Sequence, residues 1–169
     1  LYDMTIDEKL YGCKTAGDYI HKSYRGGWCY LVKGKENKIY LNGTTADVNS
    51  LYPSVMSSES GNPYPVGHPR FVKGKVPEYM KNDPAYFFFV RVKTRFYLKK
   101  DKLPFVQIKN SYRYRATEML ETSDVYDRDE GKYKSKIVNV YGETEVVTVT
   151  ITMTKPDYIL FHEHYNVMD

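Results

Sequence analysis

The stretch Phe87-Phe88-Phe89-Val90-Arg91-Val92-Lys93-Thr94-Arg95-Phe96-Tyr97-Leu98 decides the fold class. Its period is two. Phe88, Val90, Val92, Phe96 and Leu98 share one face; Phe87, Phe89, Arg91, Lys93, Arg95 and Tyr97 share the other. Side chains alternate across a strand, so residues 86–98 are predicted as a half-buried β-strand. The turn Lys99–Lys102 leads to a predicted partner strand over 103–109. Residues 133–140 and 145–153 read as a second hairpin around Tyr141-Gly142-Glu143. Thr154, with Asp157 three residues on and Pro156 between, opens a helix to about Asn166.

Upstream, Gly61-Asn62-Pro63-Tyr64-Pro65-Val66-Gly67-His68-Pro69 is dense in Gly and Pro and marks a loop and a boundary. Before it, Pro53 suits the first turn of a helix through about Ser57. Residues 28–33 and 38–42 are predicted as strands around Gly34-Lys35-Glu36-Asn37, with a short strand over 44–48. Thr15 and Asp18 form a cap opening a helix to about Tyr24, and Gly26-Gly27 ends it. The expected class is α+β, mostly antiparallel sheet with a few short helices.

Composition narrows the function. The chain is 41% hydrophobic and 27% charged, as expected of a globular protein. It has no apolar run of the roughly 18–20 residues a membrane-spanning helix needs. It opens on Leu1-Tyr2-Asp3-Met4, without an initiator Met or signal core, and reads as an internal piece of a longer protein. Two cysteines, Cys13 and Cys29, do not make a disulfide scaffold and read as reduced and intracellular. Eighteen tyrosines supply flat rings with polar tips, suited to cores, interfaces and base stacking. Charge is unevenly placed: residues 71–115 carry a net +9 and residues 116–169 a net −6. The basic block suits a polyanion; its alternative is a solvated face. Arg91, Lys93 and Arg95 alternate on one strand face, and Lys109, Arg113 and Arg115 follow, interleaved with Tyr112 and Tyr114. That pattern fits a nucleic-acid track.

The segment with most chemistry is Asp47-Val48-Asn49-Ser50-Leu51-Tyr52-Pro53-Ser54. An acid at a strand end is followed at once by a helix start. A helix start presents free N–H groups and positive dipole charge, which suit phosphate. A carboxylate there can hold Mg²⁺. On spacing alone a capping role for the acid is the commoner reading.

The particular residues resemble a known pattern. Asp47-x-x-Ser50-Leu51-Tyr52-Pro53-Ser54 resembles the first palm motif of family B DNA polymerases. Tyr24-Arg25-Gly26-Gly27, 23 residues upstream of Asp47, resembles the Tyr-x-Gly-Gly motif of the protein-primed members found in phages and linear plasmids. Val106-Gln107-Ile108-Lys109 and Glu163-His164-Tyr165 are similar to parts of that group's insertion. The resemblance implies a partial polymerase palm over 1–60 and an insertion subdomain, contacting DNA and a terminal protein, over 61–169. It implies that Asp47 and the Val48 carbonyl ligate the catalytic metals. Backbone amides near Ser50, Leu51 and Tyr52 would hold the incoming dNTP, with the Tyr52 ring beneath its sugar. Tyr24, Gly26 and Gly27 would turn against template DNA. The implied cofactor is Mg²⁺, the partners are a template-primer, a dNTP and a terminal protein primer, and the location is the cytoplasm, that of the host if the chain is phage-derived.

The family also needs a second palm carboxylate, in an Asp-Thr-Asp turn, and a fingers helix. Neither string occurs between Leu1 and Asp169, so the chain alone is expected not to polymerise. A rival reading is a non-enzymatic module that docks DNA or a protein on a polymerase-like fold. A nucleotide-binding domain of unrelated fold would need a glycine-rich phosphate loop, and no such loop occurs. Asp157 suits a helix cap better than a contact to terminal protein. His162 and His164, two apart on a helix, point to different sides and make a poor metal pair.

Overall fold

The computed structural model describes residues 3–32, 34–115 and 117–168. In chain order the helices are α1 (Glu8–Tyr11), α2 (Ala16–His21), α3 (Leu51–Met56) and α4 (Glu78–Asn82), with a 3₁₀ turn at Ser58–Ser60. The strands β1 (Phe89–Thr94), β2 (Phe96–Leu98), β3 (Val125–Asp127), β4 (Lys132–Lys134), β5 (Lys136–Val138), β6 (Thr144–Val146) and β7 (Val149–Thr154) follow. Helix α5 (Lys155–His164) and β8 (Tyr165–Val167) close the order. All four ladders are antiparallel pairs, β1–β7, β2–β8, β3–β4 and β5–β6, so the α+β class holds.

Packing groups Leu1–Gly26 with Val72–Asp169 as one unit and leaves Gly27–Phe71 as a second. The core of the first unit is Phe96, Phe105, Val106, Leu120, Val149, Ile151, Met153, Phe161 and Tyr165. Val90 and Val92 of the deciding stretch face it, as their alternation requires. Phe96 is fully buried and stands edge-on to Phe161 and Tyr165, with ring centroids 5.4 and 5.0 Å away.

The expected single strand over 86–98 is broken at Arg95, where the chain changes partners. Before the break Val92 pairs with Ile151; after it Tyr97 pairs with Asn166. The second edge of β2 is taken by Leu98 N–H donating to the Glu121 carbonyl and Ser123 N–H donating to that of Phe96.

The expected partner strand over 103–109 does not form. Pro104 has no N–H to give a ladder. The Phe105 and Val106 amides donate to the Tyr165 hydroxyl at 2.9 and 3.3 Å, and only Val106 makes an isolated bridge, to Leu120. The strand that pairs with β1 comes instead from the second predicted hairpin. Its tip forms as the β5–β6 ladder, and the remainder, β7, crosses to β1. A six-residue apolar strand with Val149, Ile151 and Met153 on one face gains more burial there than along a short ribbon.

The strands expected over 28–33, 38–42 and 44–48 are also absent among the described residues; Lys33 lies outside them. Leu31, Ile39 and Leu41 stay exposed in this unit, so the ribbon has no surface to pack on. The expected helices do form. Thr15 accepts from Asp18 N–H at 3.2 Å to cap α2, and Thr154 accepts from that of Asp157 to cap α5.

Candidate nucleic-acid and metal-binding site

Asp47 lies in the Gly27–Phe71 unit, three residues ahead of the Ser50 N-cap position of α3. It is exposed, and its carboxylate takes no hydrogen bond or ion pair among the described residues. The capping role is therefore not the one it performs. Ser50 adopts a left-handed backbone, φ 48° and ψ 47°, and makes no side-chain capping bond. Non-glycine residues visit that region rarely. The Leu51 and Tyr52 amides thus open the helix without a capping side chain. The Tyr52 ring is 71% exposed and Val48 is exposed beside it. The structure brings Asp47, Val48, Ser50, Leu51 and Tyr52 onto one short strand-free run. Among the described residues no group of three or more His, Cys, Asp or Glu gathers for a metal. What Asp47 offers is a lone hard oxygen donor next to free amides, which fits part of a Mg²⁺ shell and not all of it.

The Tyr-x-Gly-Gly motif straddles the two units, with Tyr24 to Gly26 in the first. Tyr24 is exposed, stacks nearly parallel on His21 and carries the Lys109 ammonium 5.3 Å from its ring centroid. A Cβ on Gly26 would come within 4.0 Å of the Gln107 amide oxygen. The upstream motif and the Gln107-Ile108-Lys109 segment are therefore neighbours. Arg25 faces inward. Its guanidinium donates to the carbonyls of Thr152 at 2.8 Å, Lys22 at 2.8 Å and Tyr24 at 3.2 Å. Burial pulls the Arg25 pKa down while Asp157 pushes it up. Burial likewise raises the Asp157 carboxyl, against the Thr154 hydrogen bond and Arg25. Asp157 thus belongs to the α5 start and to the Arg25 environment.

The basic residues separate by task. Arg91 is occupied internally: its Nη1 donates to the Tyr11 and Gly12 carbonyls at 3.0 and 3.3 Å and lies 3.3 Å from the Cys13 Sγ. A Cβ on Gly12 would meet that guanidinium at 2.9 Å and displace it, and the φ of +65° favours glycine there. The N-terminal segment covers this end of the β1 face, which is why Thr152, paired with Arg91, is buried. Lys93 is exposed, Arg95 half-buried. Arg113 donates to Glu145 at 2.9 Å and lies over the Tyr112 ring; Arg115 reaches Glu118 only at 3.8 Å. His164 Nδ1 contacts the Leu103 carbonyl at 2.8 Å. Both cysteines are unbridged.

Sequence reasoning quoted Arg25 and Gln107 within their motifs without giving either a role, and did not mark His21. Arg25 occupies the unspecified position of its motif, and Gln107 and His21 become informative only through their neighbours in space.

Residues 7–148 match the family model described as DNA polymerase type B, organellar and viral. The chain belongs to that family. Its relatives include the DNA polymerase of Bacillus phage Nf, 37% identical over 106 residues, which are 63% of this chain and 18% of that protein. The DNA polymerase of Streptococcus phage Cp-1 is 31% identical over 121 residues, 71% of this chain and 17% of that one. A phi29 DNA polymerase structure, complexed with primer-template DNA and incoming nucleotide substrates, superposes with a TM-score of 0.64 at 24% identity. It covers 96% of this chain and 24% of that one. The chain thus spans about a fifth to a quarter of the length of the phage polymerases it matches. Among the described residues no helix is long and apolar enough to cross a membrane.

Proposed function

We propose that this chain is the segment of a DNA-directed DNA polymerase, primed by a terminal protein, that carries one metal-binding carboxylate and a DNA-contacting insertion. The observation that carries the reading is Asp47: an acid within the family match, exposed and without a partner among the described residues, ahead of an uncapped helix start. A carboxylate retained for folding would be expected to cap or pair.

In this reading Asp47 and the Val48 carbonyl hold Mg²⁺, and the amides around Ser50, Leu51 and Tyr52 orient the triphosphate of a dNTP. The metal, when bound, supplies Lewis-acid charge at the reacting phosphoryl group. The exposed Tyr52 ring lies under the sugar and disfavours a ribose 2′-OH. Tyr24, Gly26 and Gly27 approach the template strand, and glycine lets backbone come close to phosphate. Lys93, Lys109, Arg113 and Arg115 supply backbone-neutralising charge, while Arg91 and Arg95 chiefly frame that face. The palm portion corresponds to residues 1–60 and the insertion to 61–169, working in the host cytoplasm. The priming hydroxyl would belong to a Ser, Thr or Tyr of the terminal protein.

The test is nucleotide addition to a terminal protein and to a primed template by the polymerase carrying this segment. Addition that requires Mg²⁺ and Asp47 supports the reading. Addition undiminished in Asp47→Asn overturns it. The 169-residue chain alone is expected to add no nucleotide.

A further inference from the structure

Residues 110–115, Thr117 and, from the β3–β4 turn, Arg128 line one open cleft of about 840 Å³. Three guanidinium-bearing residues reach it: Arg113, Arg115 and Arg128. Ser111 and Thr117 add hydroxyls, Tyr112 adds a ring that is 91% exposed, and no carboxylate is among the lining residues.

Arg128 is the unexpected member. It belongs to the acidic block, residues 116–169, whose net charge is −6, within the run Asp127-Arg128-Asp129-Glu130. Neighbouring acids would ordinarily hold it. They are occupied elsewhere: Asp127 pairs with Lys134 at 2.6 Å, and Glu130 pairs with Lys132 at 2.7 Å and with Lys134. Those contacts hold the Asp127 and Glu130 carboxyls below their ordinary range, through Lys134 first for Asp127 and Lys132 first for Glu130. Asp129 is exposed and outside the cleft lining. The Arg128 guanidinium makes no hydrogen bond or ion pair among the described residues. Arg115 has only a long contact to Glu118, and Arg113 is shared with Glu145 and Tyr112.

We propose that Arg128, carried on the β3–β4 hairpin, completes a phosphate-binding cleft with Arg113 and Arg115, and that the cleft holds the phosphodiester backbone of a single nucleic-acid strand. The inference rests on the DNA-contacting reading above and extends it to a hairpin that the basic block does not include. Planar guanidinium forks match phosphate oxygens two at a time. Tyr112, next to the same arginines, offers a face for a base, which an acidic peptide would leave unused.

The experiment measures binding of a labelled single-stranded oligonucleotide by the purified 169-residue chain across salt concentrations. Arg128→Ala is expected to weaken binding about threefold at low salt and to make the log–log salt slope shallower by about 0.7. Arg128→Lys should recover most of the slope. Circular dichroism of each variant checks that the hairpin change leaves the fold intact. Unchanged affinity and slope in Arg128→Ala, with Lys109→Ala weakened, overturns the cleft and leaves the DNA reading standing. No binding by the parent chain overturns both. Displacement of the oligonucleotide by inorganic triphosphate at equal phosphate concentration overturns the strand in favour of a free nucleotide. Equal displacement by poly-glutamate overturns it in favour of an acidic protein.

Discussion

Arg25 donates a 2.8 Å hydrogen bond to the carbonyl of Thr152, 127 residues away in sequence, and so fastens the Tyr-x-Gly-Gly motif to the last residues of β7. The exposed Tyr24 and Gly26 on either side owe their position to this inward neighbour. Arg25→Ala would strip three carbonyls of a charged donor and leave the half-buried Asp157 without its nearest opposing charge. A hydrogen bond to a charged group contributes about 1.5–3 kcal/mol, and a loss of that order is expected in urea unfolding of the chain. Arg25→Lys should recover only part, because one ammonium cannot span the same carbonyls. A loss below about 0.5 kcal/mol would remove Arg25 from this role.

Tyr165 is the polar centre of the core. It is 1% exposed, accepts from the Phe105 and Val106 amides and donates to the Leu120 carbonyl at 2.9 Å. Tyr165→Phe keeps the ring among Phe96, Phe105 and Phe161 but leaves those backbone groups buried without their shared hydroxyl. The expected cost is about 1–3 kcal/mol. Hydrogen exchange should accelerate at Phe105 and Val106, whose amides donate to this oxygen.

The same hydroxyl explains where sequence periodicity misled. Residues 103–109 follow a turn and are rich in apolar residues, yet a side chain sixty residues away replaces the ladder that such a segment suggests. Periodicity reports which face of a segment is buried and not what its amides meet. It therefore read Val90 and Val92 correctly and mispaired their strand. Local signals did better. Thr15 and Thr154 cap their helices because the donors they satisfy are three residues away. At the proposed site, Asp47 and Tyr52 are expected from the string around them, and the structure adds that both are exposed. The internal use of Arg91 was not, because its acceptors lie about eighty residues upstream and are backbone carbonyls, which carry no sequence signature.

Tyr114 should ionise late. Burial raises its phenol from 10.0 to about 12, with Arg113 opposing and Asp124 reinforcing the shift, and its hydroxyl donates to the Ser123 carbonyl. The sign follows from proton linkage. A phenol with a higher pKa folded than unfolded holds its proton more tightly in the native state. Its contribution to stability is complete below about pH 10 and is lost as the pH rises toward about 12. A phenolate absorbance titration should show a late component near pH 12 that Tyr114→Phe abolishes. A late component that survives the substitution belongs to another tyrosine.

Asp47 separates folding from function. It is exposed and has no partner among the described residues, so Asp47→Asn should change stability by less than about 0.5 kcal/mol. Arg25→Ala should do the reverse, lowering stability while leaving the Asp47 carboxylate in place. In the polymerase carrying this segment, Asp47→Asn replaces a charged oxygen donor with a neutral one and should abolish nucleotide addition. Template binding should persist, because the basic residues proposed to contact it lie elsewhere in the chain. Unfolding curves, salt-dependent DNA binding and nucleotide addition measured on the same variant make the distinction. A destabilised Asp47→Asn would mean the acid serves the fold, and its exposed position would then need a partner outside these residues.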